Sequence, residues 1–246
     1  MTDRSPVVFA DLDDTLFQTA RKMPGPVRTW RLAAHATNGS HSYMTEAQAA
    51  TVQWLLDSTR LIPTTARSSE VLARTTIRFT DYKICSNGGA IITPDGAHDP
   101  AWAARTARIS AQHAHAFSAL QGAVSALADR GALRCWLVRE AQTPVYFVAK
   151  ISVGTPRTVL DEAEGCCRAQ VGTDLVFHRN GRNLSFTPKG LAKSDAVEEL
   201  LRRLSNTDRR PIWGMGDSIS DLPFMRLCQM MVAPSDSQIT KTRLEV

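Results

Sequence analysis

The feature that most constrains this chain is a short apolar run that ends abruptly in carboxylates, "VVFADLDDTLF", residues 7–17. The apolar residues are typical of a buried strand, and Asp11, Asp13 and Asp14 follow where that run ends. Like charges this close repel one another and disfavour a compact state unless positive charge lies among them. The pattern therefore predicts either a solvated cluster or a functional site.

Composition places the chain among globular proteins. Its 246 residues suffice for one large domain or two of ordinary size, and 43% are hydrophobic while 22% are charged. No apolar run approaches the roughly 20 residues needed to cross a bilayer, and the first residues lack the pattern of a signal peptide. Five cysteines without C-x-x-C spacing indicate reduced thiols, so we predict a cytoplasmic protein without disulfides or a zinc site.

The formal net charge of +5 raises the question of a nucleic-acid partner. The basic residues are dispersed, with doublets at Arg202-Arg203 and Arg209-Arg210 and no accompanying stripe of aromatic residues. This distribution favours solvated helix faces, and a positive field equally attracts a small anionic substrate. We therefore predict neither a nucleic-acid nor a membrane partner, and the oligomeric state stays open.

Strand and helix patterns alternate at both ends of the chain. The strand at residues 7–10 is followed by a helix over 45–58, a strand near 60–64, a helix around 70–79 and a third strand over 82–93 that is broken by Asn87-Gly88-Gly89. A further helix and strand follow Pro188. Alternation of this kind predicts a parallel α/β sheet. The segment 18–43 reads as a long irregular connection, and such loops are usually functional or mobile.

The middle of the chain follows another pattern. An Ala-rich helical stretch precedes two alternating segments typical of a hairpin, and a second helix and hairpin follow. We therefore predict a core formed by residues 1–92 and 185–246, with an inserted α+β domain at 93–184. The inserted domain is predicted to have its own small sheet with helices on one face.

Four predicted strands of the core end in polar residues. In parallel α/β sheets ligands bind at the carboxyl ends of the strands, so these residues are expected to meet at one edge. Two of the four clusters are acidic, which favours a hard, oxygen-liganded cation such as Mg²⁺ between them. The clusters are Asp11–Thr15, Thr64–Ser68, Ser86–Gly88 and Gly214–Asp221.

Taken in order, these motifs resemble those of the haloacid dehalogenase-like phosphatases. The pattern is D-x-D-x-T after a first strand, a Thr after a second, a Lys on a later helix and G-D-x-x-x-D after a last strand. "SNGGAII", a large insertion and "PKGLAKSDAV" look like the Cof-type and sucrose-phosphatase-like members. The resemblance covers the whole chain and implies a Rossmann-like parallel sheet core with an inserted α+β cap domain.

The resemblance also implies a role for each matching residue. Asp11 is the expected nucleophile, and an Asp carboxylate is ionised at neutral pH without an activating base. Asp13 is the expected general acid and then base, and its backbone carbonyl a metal ligand. Thr65 is expected to bind a phosphoryl oxygen, and Lys193 to neutralise charge on the transferring group. Asp11 and Asp217 are expected Mg²⁺ ligands, and Asp221 a second or water-mediated one.

Some positions have a neighbour of the same type. Thr64 competes with Thr65, and Lys189 with Lys193; the alignment with the motifs favours Thr65 and Lys193. Two residues depart from the family pattern: Ala66 stands where a Gly is usual, and Ser220 where an Asn usually precedes the last Asp.

The resemblance implies a small phosphate ester as substrate, hydrolysed through an aspartyl-phosphate, and we expect a sugar or polyol phosphate. A phosphomutase or phosphotransferase on the same core is the alternative, followed by a non-catalytic phospho-accepting signalling module. We predict that the cap closes over the site and that its turn "HRNGR" reaches the substrate, although an ordinary exposed hairpin turn fits equally well. The predicted substrate contacts are Arg67, Asn87, Gly88, Arg179 and Arg182.

Overall fold

The computed structural model describes residues 5–204 and 209–242, and it divides into two compact units. Unit 1 is Met1–Asp99 with Lys193–Val246, and unit 2 is Pro100–Ala192. The two junctions lie seven and eight residues after the predicted positions, 92/93 and 184/185. The second shift arises because the last strand of unit 2 continues to Pro188 in its pairing with its neighbours.

The strands alternate with helices at the two ends of the chain and pair with one another in the middle. The strands are β1 Val7–Ala10, β2 Gln18–Thr19, β3 Arg31–Ala34, β4 Ser42–Met44, β5 Arg60–Pro63, β6 Lys83–Cys85, β7 Ala90–Ile92, β8 Leu133–Glu140, β9 Thr143–Ile151, β10 Leu175–Asn180, β11 Asn183–Pro188, β12 Ile212–Met215 and β13 Met230–Val232. The helices are α1 Glu46–Ser58, α2 Ser69–Leu72, α3 Pro100–Gln112, α4 Ala114–Ala123, α5 Ser125–Asp129, α6 Arg157–Arg168, α7 Lys193–Arg203, α8 Leu222–Met225 and α9 Gln238–Lys241.

The core of unit 1 is a parallel sheet in the order β13-β12-β1-β5, which confirms the predicted fold class. Strand β1 lies between two neighbours and is fully buried, as a near-continuous apolar strand in a parallel sheet should be. Its Ala10 lies opposite Pro63 on β5 and Met215 on β12. The polar residues that follow these three strands therefore leave the sheet side by side.

Helix α1 has the bounds expected from its pattern. Thr45 caps it: its hydroxyl accepts from the backbone N–H of Gln48, whose side chain accepts from the N–H of Thr45 in return. The neighbouring helix prediction, around 70–79, was wrong beyond Leu72. After α2 the chain turns at Arg74 and Thr75, and backbone N–H groups there bond to α2 carbonyls and to Ala33 of β3.

Three further differences concern strands. The predicted third strand folds into the antiparallel pair β6–β7 and meets β5 through a single bridge between Thr64 and Ile84. The segment 18–43, expected to be irregular, forms with Met44 the three-stranded sheet β2-β4-β3. The short edge strand β13 was not predicted, because it forms only by pairing with β12.

Unit 2 has a four-stranded antiparallel sheet in the order β10-β11-β9-β8. One face packs against α4, α5 and α6 through a cluster that includes Leu120, Phe147, Leu160 and Phe186. The opposite face is covered at one end, where Tyr146 and Val148 meet Ile109 of α3 and Leu191. Among the described residues no helix is both long and apolar enough to cross a membrane.

Candidate active site

Asp11 follows the buried strand β1 directly, and its backbone N–H bonds to Met215 O at 2.9 Å. This bond extends the pairing of β1 with β12 by one residue and leaves Asp11 only 7% exposed. Burial, and to a lesser degree the nearby carboxylates of Asp221 and Asp13, raise the pKa of Asp11 to about 7 against the opposing effect of Lys193. The structure thus holds a carboxylate in a crowded, poorly solvated position at the sheet edge.

Lys193, the first residue of α7, joins the two acidic clusters. Its Nζ lies 2.6 Å from Asp11 Oδ1 and 2.8 Å from Asp221 Oδ1, and the three side chains are almost fully buried. Burial alone would lower the pKa of Lys193, but the two carboxylates raise it above its ordinary value. One ammonium group is therefore held between carboxylates that lie 210 positions apart in the sequence (221 − 11).

The second acidic cluster is shaped by a turn after β12. Ser218 donates from its N–H at 3.2 Å and its hydroxyl at 2.8 Å to Asp221 Oδ2, so both oxygens of Asp221 are engaged. Gly216 makes this possible, since a Cβ there would lie 2.6 Å from Asp221 Cβ and 2.9 Å from Met225 Sδ. Asp217 is partly buried, and burial with the carboxylates of Asp221 and Asp14 raises its pKa to about 6.

The donor set fits a divalent cation. Asp11, Asp217 and Asp221 each offer a carboxylate oxygen, and these oxygens all lie within 4.8 Å of one another. Three carboxylates against the single charge of Lys193 leave an excess of negative charge in a buried place, and Mg²⁺ takes hard oxygen ligands of this kind. Asp221 already accepts three hydrogen bonds, one from Lys193 and two from Ser218, so the carboxylate oxygens of Asp11 and Asp217 are more open to direct ligation.

Asp13, predicted as acid and base, faces Arg67. Arg67 Nε lies 2.8 Å from Asp13 Oδ2 and Nη2 lies 2.6 Å from Oδ1, a two-bond pairing of guanidinium and carboxylate. Arg67 Nη2 also donates to the buried Ser42 hydroxyl at 3.1 Å, and its guanidinium lies 4.9 Å from the centre of the Phe17 ring. Any metal contact of Asp13 is therefore left to its backbone carbonyl.

The two threonines after β5 have different surroundings. The Thr64 hydroxyl donates back to Ile62 O at 3.3 Å inside its own strand. The Thr65 hydroxyl accepts from the Arg67 N–H at 3.1 Å, in the turn beyond the strand, and is also buried. Of the two competing lysines, the structure places Lys193 beside Asp11, whereas Lys189 is an exposed residue of unit 2.

The predicted substrate contacts Asn87 and Gly88 lie in a tight segment between β6 and β7. Ser86 and Asn87 both adopt left-handed backbone angles, with φ of 52° and 56°. Backbone bonds hold this segment to the turn after β5, from Ser86 N to Arg67 O at 2.8 Å and from Asn87 N to Thr65 O at 3.0 Å. Non-glycine residues in this region cost free energy, so surrounding contacts must maintain the conformation.

In unit 2 the segment "HRNGR" contains both arginines that were predicted to contact the substrate, and their surroundings differ. Arg179 lies opposite Leu184 on the helix-packed face, and its guanidinium pairs with Asp161 at 2.7 Å and Glu164 at 2.8 Å, both on α6. Arg182 lies in the turn itself and has no such partner among the described residues. The structure thus engages Arg179 within unit 2 and leaves Arg182 available.

Sequence reasoning did not single out three hydroxyl residues. Thr15 lies 3.5 Å from both Asp11 Oδ2 and Asp217 Oδ1 and so links the two acidic clusters. Ser218 holds Asp221, and Ser42 holds Arg67. Thr15 belongs to the first motif and could have been found there, whereas Ser42 carries no sequence signal. The hydroxyl of Ser220, which stands where the family pattern has Asn, bonds to the Ser218 hydroxyl at 2.7 Å.

No family model matches the sequence, and neither does any curated protein sequence. Solved structures do match. The sucrose-phosphatase of Synechocystis sp., solved with sucrose and phosphate, is 17% identical with a TM-score of 0.55, over 96% of this chain and 94% of that one. The C-terminal domain of trehalose-6-phosphate phosphatase from C. albicans is 12% identical with a TM-score of 0.61, over 91% of this chain and 73% of that one.

A trehalose-6-phosphate phosphatase from Aspergillus fumigatus is 13% identical with a TM-score of 0.51, over 96% of this chain and 85% of that one. Identities this low leave the fold as the shared property. The agreement extends over both units and includes the sheet whose strand ends carry the site. The chain therefore has the fold of the haloacid dehalogenase-like phosphatases, the family that its ordered motifs resemble.

Proposed function

We propose that this protein is a Mg²⁺-dependent phosphatase that hydrolyses a small phosphate ester through an aspartyl-phosphate on Asp11. The observation that carries the proposal is Lys193, which bridges Asp11 and Asp221 at 2.6 and 2.8 Å, with Asp217 in the same group of carboxylates. A lone acidic cluster has many explanations. A nucleophilic carboxylate, an ammonium group and a cation site at the ends of parallel strands together suit phosphoryl transfer.

In the first half of the proposed reaction, an Asp11 carboxylate oxygen forms a bond to phosphorus while the bond from phosphorus to the ester oxygen breaks. Asp13 donates a proton to that leaving oxygen, and the alcohol departs. Lys193 balances charge on the transferring group, and Thr65 holds one of its oxygens. When bound, Mg²⁺ supplies positive charge that offsets the repulsion between carboxylates and phosphate.

In the second half, Asp13 takes a proton from water as the water oxygen attacks phosphorus. The bond between phosphorus and the Asp11 oxygen breaks, which releases inorganic phosphate and restores the Asp11 carboxylate. Asp13 therefore has to be held at one place through both halves. The two bonds from Arg67, itself fixed by Ser42 and Phe17, hold the ionised form of Asp13 in place, and the carboxyl oxygen that carries the proton in the first half gives up its Arg67 donor.

We propose a sugar or polyol phosphate as the substrate. Among the solved structures with this fold are a sucrose-phosphatase and trehalose-6-phosphate phosphatases, as their descriptions state. The net charge of +5 suits attraction of an anionic ester. These points support the substrate class, and the chemistry at Asp11 is the same for any phosphate monoester.

The experiment is a phosphate-release assay with sugar and polyol phosphates, with Mg²⁺ or with excess chelator, on the full chain and on Asp11→Asn. We expect activity only with Mg²⁺ and intact Asp11, and phosphate on the Asp11 peptide after acid quenching. The matched control is Asp14→Asn, a half-buried neighbour outside the ligand group with φ of 66°, a conformation that Asn adopts readily. Activity that survives Asp11→Asn would refute the mechanism, and an isomeric phosphate as product would indicate a mutase.

A further inference from the structure

One end of the unit 2 sheet carries two cations that face each other, Arg134 and Lys150, and Arg182 of the neighbouring turn lies close enough to act on the charge of Lys150. Strand register places Arg134 on β8 opposite Lys150 on β9, and Lys150 opposite Asn183 on β11, the residue after Arg182. We call Arg134, Lys150 and Arg182 the cation row. Directly opposite residues on antiparallel strands have neighbouring side chains, so this pairing puts two positive charges side by side.

The cation row lacks compensation. Within residues 5–204 and 209–242, the side chains of Arg134, Lys150 and Arg182 form neither ion pairs nor hydrogen bonds. Partial burial, Arg134 and Arg182 lower the pKa of Lys150, in that order of importance. Like charges directly opposite one another destabilise a sheet, so this arrangement works against folding.

Other arginines of unit 2 contrast with the cation row. Arg168 and Arg179 are paired with carboxylates on α6, and Arg105 donates to Gly190 O at 3.2 Å. The carboxylates that pair with Arg168 and Arg179 lie on α6, on the helix-packed side of the sheet. Arg134 and Lys150, which face each other across β8 and β9, have no such partner among the described residues.

The cation row has a second row of side chains beside it on the same face. Two residues along each strand, register aligns Trp136, Val148, Ser185 and His178 across the sheet. Trp136 is 39% exposed, unusual for so large an apolar side chain. The cluster with Ile109 of α3 covers this face from Tyr146 to Val148, so Val148 is buried while Trp136 beside it stays partly exposed. The open end therefore combines cations, an exposed aromatic ring and a hydroxyl.

We propose that the cation row, with Trp136, is a binding site for a small metabolite that carries a phosphate or carboxylate group. Arginine is suited to two-bond contacts with either group, and lysine adds a compact charge beside Arg134. Trp136 offers a flat apolar surface and one N–H donor for the uncharged part of the molecule. A bound anion would relieve the repulsion within the row, which explains why the arrangement is tolerated.

The anionic group belongs either to the substrate or to a separate ligand, and the same recognition chemistry serves both. The first case rests on the proposed phosphatase function and implies a phosphate ester with a second anionic group. The second case does not need that function. The experiment therefore has one arm without turnover and one with turnover.

In the binding arm, the full chain with Asp11→Asn is titrated calorimetrically with three probes: 6-phosphogluconate, glucose 6-phosphate and inorganic pyrophosphate. We expect Lys150→Gln and Arg134→Gln to weaken the binding of 6-phosphogluconate about tenfold more than the binding of glucose 6-phosphate. Both variants should also weaken the binding of pyrophosphate. Trp136→Ala should weaken the binding of 6-phosphogluconate and of glucose 6-phosphate and leave the binding of pyrophosphate unchanged. Arg157→Gln, which removes an exposed cation of α6 from the same unit, is the matched control and should leave all three unchanged.

In the turnover arm, kcat/KM for 6-phosphogluconate and glucose 6-phosphate is compared between Lys150→Gln and the unchanged chain. If Lys150→Gln lowers kcat/KM for 6-phosphogluconate selectively, the anionic group belongs to the substrate. If the variants of the cation row weaken binding without this loss of kcat/KM, the anionic group belongs to a separate ligand. Equal affinities in the row variants and in Arg157→Gln would overturn the proposal and leave an ordinary charged surface. Because the binding arm needs no activity, it stays decisive if the phosphatase function fails.

Discussion

Arg67 donates to both oxygens of the Asp13 carboxylate, with Nε to Oδ2 at 2.8 Å and Nη2 to Oδ1 at 2.6 Å. Arg67 is itself held by Ser42 of the small β2-β4-β3 sheet and by the ring of Phe17. The segment that looked like a long connection in the sequence thus supports the proposed acid and base. Its sheet gives Arg67 a fixed attachment beside β1.

The first prediction concerns this pair. Arg67→Lys keeps the charge but loses the planar two-bond contact, so Asp13 should lose its fixed orientation. General acid catalysis contributes about 10²–10⁴-fold, and a substrate with a poor leaving group depends on it most. We expect a loss of about tenfold or more for glucose 6-phosphate and a much smaller loss for 4-nitrophenyl phosphate, measured as kcat.

The control for this prediction is a double-mutant comparison with Asp13→Asn. If Arg67 acts through Asp13, Arg67→Lys should cause little further loss once Asp13 is replaced. Ser42→Ala should show the same leaving-group pattern more weakly, since it removes one of several contacts of Arg67. Equal losses for both substrates would mean that Arg67 contributes only to folding or phosphate binding.

Lys193 provides a prediction about stability. Lys193→Met leaves the buried Asp11 and Asp221 carboxylates without their shared ammonium group, and breaking a buried ion pair typically costs about 3–5 kcal/mol. Urea unfolding without Mg²⁺ should show a loss of this order, and added Mg²⁺ should recover part of it. Lys189→Met, at an exposed position, should leave the free energy of unfolding nearly unchanged. Similar values for the two variants would contradict the buried bridge.

The metal site can be tested without activity. Binding to the folded state alone stabilises a protein by about 2.7 kcal/mol when the ligand is at 100 times its Kd. Mg²⁺ should therefore raise the melting temperature of the chain, and Asp217→Asn should require a higher Mg²⁺ concentration for the same rise. Asp14→Asn removes a nearby carboxylate outside the ligand group and should shift the Mg²⁺ response much less than Asp217→Asn. The ligand assignment fails if Asp217→Asn and Asp14→Asn give the same curve.

Substitution by alanine is expected to have opposite effects at Gly216 and Gly165. An alanine Cβ at 216 would lie 2.6 Å from Asp221 Cβ, so Gly216→Ala should displace Asp221 and cost about 1–3 kcal/mol of stability. Gly165 lies in helix α6 with nothing within 4 Å of the added Cβ, so Gly165→Ala should stabilise by about 0.5–1 kcal/mol. Chemical denaturation of both variants measures the contrast, and a stable Gly216→Ala would show that the turn after β12 can relax.

For the cation row we expect that removing a charge does not lower the melting temperature. Lys150→Gln and Arg134→Gln each remove one of two like charges that face each other across β8 and β9. Without added ligand, either variant should keep or raise the melting temperature of the chain, even where it weakens anion binding. A clear fall in melting temperature at low salt would mean that these side chains stabilise unit 2 rather than serve a ligand.

Local sequence signals determined a large part of this protein. The helix α1 could be predicted because its apolar spacing and its Thr45 cap act over a few residues, and the apolar runs of β1 and β12 predicted buried parallel strands. The motifs at their ends predicted Asp11, Lys193 and Asp217, which the structure brings together. Patterns of this kind can be recognised in the sequence because burial and capping depend on neighbouring residues.

Contacts between distant segments decided the rest. β13 exists because β12 is there to pair with, and β6 pairs with β7 instead of joining the central sheet. The partner of Asp13 is Arg67, and the residue that holds Arg67 comes from the small sheet, 25 positions before it. In unit 2, strand register alone separates Arg179 from the face of the cation row and sets Arg134 beside Lys150. Pairing and register depend on which surfaces meet after the chain has folded, so only the tertiary structure could assign these partners.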